Sequence, residues 1–367
     1  QTCALPISFN NNKAGDSAGV IYSDGSISVT QSVFYDNEAN GWGGALRIVG
    51  NASISNSDFS NNRAETSGAF HANTGGSNWL TVTQSTFTNN SSTSHAGAFY
   101  ASGSFNLLIS GSTFSSNNSG DSAGAAYLNL WGDGLVENST FSDNVSGREG
   151  GAIAIFRGVS IVDTTIINNS SGEDGGGMHI ASVEAVTLTR SALVNNSAGG
   201  NGGGINSSAS VVISRTAIVS NTAHESGGGL YTSAGSFDIS SSTISNNTAE
   251  TIRGGGLYVR DGGAATVSNT TISGNRALGE DEAVDGGGNG GGIYLGGSDP
   301  ISTELILDHV TVTDNEAAGI GGGIDFNRGA DLALGDTLSL THSIVAGNRD
   351  TGGYADCYDN LAITYTL

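Results

Sequence analysis

Cysteine, proline, lysine and methionine are nearly missing from this sequence: 2, 2, 1 and 1 residues among 367. Cys3 and Cys357 lie almost a full chain length apart, so no disulfide framework holds the fold together. The 58 glycines lack a three-residue period and proline is scarce, which excludes collagen and proline-rich disorder. Apolar runs of about 18 residues are absent, which excludes a transmembrane helix. Positive charge is also scarce. Twelve basic against 34 acidic residues give a net charge of -22 and a pI near 4.2. Such a surface repels phosphate backbones and anionic membranes, so neither nucleic acid nor membrane insertion by this segment is expected. The sequence has no G-x-S-x-G elbow, Walker A loop, H-E-x-x-H pair or Cys/His zinc spacing.

What is abundant is one phrase. STFTNN at 85 returns as STFSSN at 112, STFSDN at 139, STISNN at 242 and TTISGN at 270. Its asparagine recurs at Asn12, Asn37, Asn62, Asn90, Asn117, Asn144, Asn169, Asn196, Asn221, Asn247, Asn275, Asn315 and Asn348. The intervals run from 25 to 28 residues except for the last two, of 40 and 33, which carry insertions. A period of this size marks a repeat architecture whose coils bury their apolar faces on one another. The organisation expected is a leader at 1–7, a solenoid over 8–352 and its end or a truncated linker at 353–367. The leader, QTCALPI, stands outside the repeat and resembles the translation of a sequencing adapter. No secretory signal is recognised, and for a truncated reading frame that says nothing about export.

Within Trp79 to Ser102, Leu80 and Val82 alternate with Thr81 and Thr83, Gln84 breaks the parity, and Ser85 with Phe87 resumes it. A bend is predicted at Gln84 and at the equivalent Gln31, Asn56, Gly111, Asn138, Arg190, Arg215, Asn269, His309 and His342. After Asn90 a polar loop is expected, then a strand in which Phe99 and Ala101 point inward and Tyr100 outward. Three short strands per coil and about thirteen coils make an all-β, single-stranded parallel β-helix. Its inward columns include Phe34, Phe59, Phe87, Phe114, Phe141 and Ile166 on one strand, and Leu46, Phe70, Phe99, Ile153 and Met178 on another. Leucine-rich repeats share the period, but their helical half is disfavoured by the recurring GGG, since glycine costs roughly 1 kcal/mol in a helix.

The solenoid explains the phrase. Equivalent residues stack about 4.8 Å apart, so Asn37, Asn62, Asn90, Asn117, Asn144, Asn169, Asn196, Asn221, Asn247 and Asn275 form a structural amide ladder. Asparagine also tolerates the left-handed backbone of a turn, which the same residues are expected to adopt.

The F-x-x-N phrases FYDN, FSNN, FTNN and FSDN, with GGAL at 43 and GGAI at 150, resemble the repeats of chlamydial polymorphic outer-membrane proteins. GGGIY and GGGLY are similar to bacterial right-handed parallel β-helix proteins in general, and SIVAGNRDTGGYADC, from Ser343 to Cys357, resembles the last coil of secreted β-helix proteins. The resemblance implies a right-handed coil and an exported protein, extracellular or on the outer surface of a bacterium. It does not select a function, since the fold hosts adhesins, autotransporter passengers, lyases and hydrolases.

Pectinolytic proteins of this fold use clustered aspartates with Arg, Lys or His. The nearest approach here is Arg260, Tyr294, Asp325 and Asn327, without the paired carboxylates a glycosidase needs. Glu280, Asp281, Glu282 and Asp285 form an oxygen-rich loop of the kind that suits Ca²⁺, but they match no known Ca²⁺ motif, and no cofactor is expected. The column following the third-strand apolar residue reads Tyr22, Arg47, His71, Tyr100, Tyr127, Ala154, His179, Asn206, Tyr231, Tyr258, Tyr294 and Asp325, and holds six of the ten tyrosines. Tyr100, Tyr127, His179, Tyr231, Tyr258 and Tyr294 are the ligand-binding candidates, expected as an outward, flat aromatic strip for a polysaccharide or cell-surface glycan. Ring stacking alone would produce the same column. A binding or adhesive solenoid is the leading reading. A fibre subunit associating end to end through open strand edges, and a polysaccharide lyase or hydrolase, are the alternatives.

Overall fold

The computed structural model describes residues 7–260, 262–279, 287–296, 303–326, 337–351 and 355–358. All regular structure among the described residues is β-strand, and neighbouring coils pair in parallel. The chain divides into two compact units, 1–172 with 177–179, and 173–176 with 180–367.

In the first unit the repeated phrase forms the strands Val33–Tyr35, Asp58–Ser60, Thr86–Thr88, Thr113–Ser115 and Thr140–Ser142. Alternation sends the central residue inward, and the register pairs Phe34 with Phe59, Phe59 with Phe87, Phe87 with Phe114 and Phe114 with Phe141. Parallel stacking in strict register brings these rings face to face, with centroids 4.6 to 4.7 Å apart and planes within 4°. All five side chains are fully buried.

Two expectations are corrected. The segment after each asparagine is not a loop but a two-residue strand, as in Glu38–Ala39, Arg63–Ala64, Ser91–Ser92 and Asn118–Ser119. It is too short to show periodicity, and its inward residue is only alanine or serine. The expected third strand of one coil and first strand of the next are also halves of one sheet, continuous in Phe70–Thr83 and Phe99–Ser110.

Three left-handed positions turn the coils, the third being Gly43, Ser67, Ala96 and Ala123 at 58° to 66°, ahead of the strand that carries the tyrosine column. The first is the predicted bend: Gln31, Asn56 and Gln84 all have φ of 49°. The second is the residue before each ladder asparagine, Asp36, Asn61, Asn89 and Asp143 at 53° to 58°. The ladder residue itself is not the left-handed one. Its side chain points into the coil, and the exposed preceding residue makes the turn.

The ladder saturates the amides. Asn62 donates from its backbone N and from Nδ2 to Asn90 Oδ1 at 3.0 and 2.9 Å, and from Nδ2 to the Phe34 carbonyl at 2.9 Å. The same geometry links Asn37, Asn62, Asn90, Asn117, Asn144 and Asn169. A hydroxyl ladder runs beside it: Ser57 N donates to Ser85 Oγ at 3.2 Å, while each hydroxyl donates to the carbonyl two residues back. In the second unit Leu193, Ile218, Ile244, Ile272 and Val312 form the buried phrase column. There the asparagine ladder links Asn196, Asn221, Asn247, Asn275, Asn315 and Asn348 at 2.9 to 3.0 Å and ends on Asp356 Oδ1.

Asn144→Ala would strip the acceptor from the Asn117 N–H and amide and the donor from the Phe114 carbonyl. The expected cost is at least about 3 kcal/mol, at ~1–3 kcal/mol for each of the three buried groups left unpaired. Asp143→Gly next to it relieves a positive φ and should be neutral or stabilising. Equal urea midpoints for both variants would show that the ladder bonds do not hold the coil.

Candidate functional site

The column of tyrosines and its neighbours points away from the core, as alternation requires, but it is not an open surface. In the second unit Tyr231, Tyr258 and Tyr294 are only 6, 7 and 3% exposed, and Asp325 is fully buried. The cover is the glycine turn ahead of each strand. Gly227, Gly254 and Gly290 have φ of +66° to +69°, and a Cβ on them would lie 2.7 to 2.8 Å from the Cβ of Tyr231, Tyr258 and Tyr294. Ser67, Ala96 and Ala123 hold the same left-handed place in the first unit, so it is the close approach to these three tyrosines, more than the φ, that calls for glycine here.

The flat aromatic strip is also corrected. Tyr231, Tyr258 and Tyr294 meet edge to face, with centroids 5.2 and 4.8 Å apart and planes at 75° and 77°. In the first unit His71, Tyr100, Tyr127 and Phe156 do lie parallel, 4.6 to 4.7 Å apart, so each ring's faces are taken by its neighbours. Either arrangement leaves ring edges and hydroxyls for a ligand, not faces.

Around Tyr231, Tyr258 and Tyr294 the side chains enclose a trough of about 350 Å³, also lined by Asn201, Glu225, Arg253 and Arg260. Arg253 Nη1 donates to Tyr294 Oη at 3.1 Å and Arg260 Nη1 to Tyr231 Oη at 3.5 Å. Glu225 accepts from Asn201 Nδ2 at 3.0 Å. Burial pushes the Tyr258 hydroxyl well above its ordinary range, and the neighbouring tyrosines add to the shift.

Of the residues considered for catalysis, Tyr294 pairs in register with Asp325, and Arg260 reaches Tyr231. Asn327 lies outside the described residues, as do Glu280, Asp281, Glu282 and Asp285. No hydrogen bond of good geometry reaches either carboxylate oxygen of Asp325, although the Asn289 side chain lies close enough to act on the carboxyl. Burial pushes its carboxyl up to about 7, against the pull of the Arg253 guanidinium.

In the first unit Tyr100 stacks on Tyr127, and His179 lies 3.7 Å from Glu149. Burial, with Arg47 nearby, pushes His71 down to about 3, so it is neutral. Burial pushes Tyr127 up to about 12. Ala154 interrupts the column, and Phe156 supplies the missing ring over Tyr127. Sequence reasoning missed Phe156 and Arg253, and it reads Glu225 only as one carboxylate of the acidic edge between the asparagines and the glycines; Arg253 and Glu225 lie on turns outside the strand periodicity. Trp42, Trp79 and Trp131 are exposed.

The unfolded Asp325 carboxyl ionises near 3.8 and the native one near 7, so the native state holds the extra proton between these values. Its contribution to stability therefore falls as pH rises from about 4 to 7. Asp325→Asn should raise stability at pH 8 by roughly 1–3 kcal/mol and change little at pH 4. Denaturation at the two pH values checks this, and a variant destabilised at pH 8 would contradict it.

A family profile described as the right-handed beta helix region matches residues 201–364. The profile of the Chlamydia polymorphic membrane protein repeat matches 6–24, 84–102 and 138–155. No curated protein and no solved structure gives a match. Parallel coils in register, the asparagine ladder and both profiles agree on the fold: the chain is a right-handed parallel β-solenoid, with three segments similar to the polymorphic membrane protein repeat.

Proposed function

We propose that this β-helix is displayed on a bacterial outer surface and binds a neutral saccharide in the trough over Tyr231, Tyr258 and Tyr294. The polymorphic membrane protein repeats support the surface placement. The observation that carries the binding reading is the convergence of Arg253, Arg260, Glu225 and Asn201 on one concavity lined by tyrosine. Guanidinium donors, a carboxylate acceptor and an amide match the mixed donor and acceptor pattern of sugar hydroxyls, and a volume near 350 Å³ falls at the small end of ligand sites. Two arginines beside a glutamate leave no strong preference for a polyanion. The burial of Asp325 favours binding over a lyase or hydrolase, because the column's one carboxylate does not reach solvent.

A glycan array should identify a neutral saccharide ligand. Arg253→Gln with Arg260→Gln should then weaken it at least tenfold by calorimetry, while Tyr231→Phe with Tyr294→Phe removes the hydroxyls without emptying the packed column. No ligand on the array, or undiminished binding by the arginine variant, would remove the reading.

A further inference from the structure

In the second unit, the bend column carries imidazole on two adjacent coils. Glu304–Asp308 pairs with Thr337–Thr341 so that Asp308 lies opposite Thr341. The next residue in each is the left-handed bend, His309 at φ 55° and His342 at φ 49°. The two imidazoles leave equivalent backbone positions and stack with centroids 4.6 Å apart and planes at 23°. Both Nδ1 atoms turn toward one oxygen, Asp308 Oδ1, at 2.9 Å from His309 and 3.5 Å from His342.

We propose that Asp308, His309 and His342 form a binding site for a divalent transition-metal ion, with Zn²⁺ as the first choice. The site is independent of the saccharide trough. Two donors bound at about 2.0–2.1 Å stand roughly 3.0 Å apart at an octahedral angle and roughly 3.4 Å apart at a tetrahedral one. The two oxygen-to-nitrogen separations already match those edges. The three donor atoms lie within 4.8 Å of one another, so the edge between the histidines closes by rotation of side chains that are 55 and 52% exposed. Two neutral nitrogens and one carboxylate suit Zn²⁺, Ni²⁺ or Co²⁺, whereas Ca²⁺ and Mg²⁺ require oxygen. The acidic chain concentrates cations at its surface. With three protein ligands, the remaining coordination positions face solvent, as in an open zinc site.

The test titrates the metal-stripped full chain with Zn²⁺ by calorimetry, then with Co²⁺ while following its visible absorption. One ion per chain is expected. His309→Asn and His342→Asn should each weaken binding at least tenfold and abolish the Co²⁺ spectrum, whereas His224→Asn, which removes an imidazole paired with Glu250 at 3.1 Å, should leave both unchanged. Asparagine is the replacement because Asn269 holds the same bend at φ 47°, so the backbone is preserved. Absence of saturable Zn²⁺ binding, or equal affinity in the His309→Asn, His342→Asn double variant, would overturn the assignment.

Discussion

The amide-to-amide hydrogen bond between coils sets the terms for the rest of the fold. An asparagine can accept from the residue on one side and donate to the residue on the other only if a donor and an acceptor stand at the same point of the neighbouring turns, and along a column only asparagine supplies both at every step. The separation must equal the spacing of hydrogen-bonded strands. That requirement produces the repeat. It also tolerates variation elsewhere in the coil: Asn275 and Asn315 are 40 residues apart in sequence yet bond at 2.9 Å.

Stacking by identity extends from the amides to everything beside them. The phenylalanines lie face on face, the serine hydroxyls form a second ladder, and the tyrosine column follows the same register. Repetition that stabilises a column also restricts its chemistry, because faces committed to neighbouring rings are withdrawn from solvent. Chemical variety beside the column therefore comes from residues that do not repeat, such as Arg253 and Glu225 at the trough.

Much of this was legible in the sequence because it repeats. The period, the buried Phe34 to Phe141 column, the bend at Gln84 and the ladder asparagines all follow from spacing and alternation. What alternation does not reveal is cover. It gives Tyr231 and Tyr258 the parity opposite to Leu230 and Leu257, yet all four are buried, and a GGG run does not disclose the close approach that covers the tyrosines. The left-handed residue was misplaced by one position for a similar reason: both residues of an N-N or D-N pair tolerate the turn, and only the hydrogen bonds distinguish them. Side chains that act once, such as Phe156 filling the gap at Ala154, have no periodic signal.

The ladder of the second unit closes on Asp356, whose Oδ1 accepts from both Asn348 N and Nδ2. Every amide in the series donates in the same sense, so their dipoles add along the stacking direction as peptide dipoles add in a helix. A carboxylate is suited to the last place because it accepts without passing a donor onward, and its negative charge faces the end where the amide hydrogens point. The ladder is thus an oriented electrical element as well as a structural one, with a sense of direction that none of its individual residues possesses.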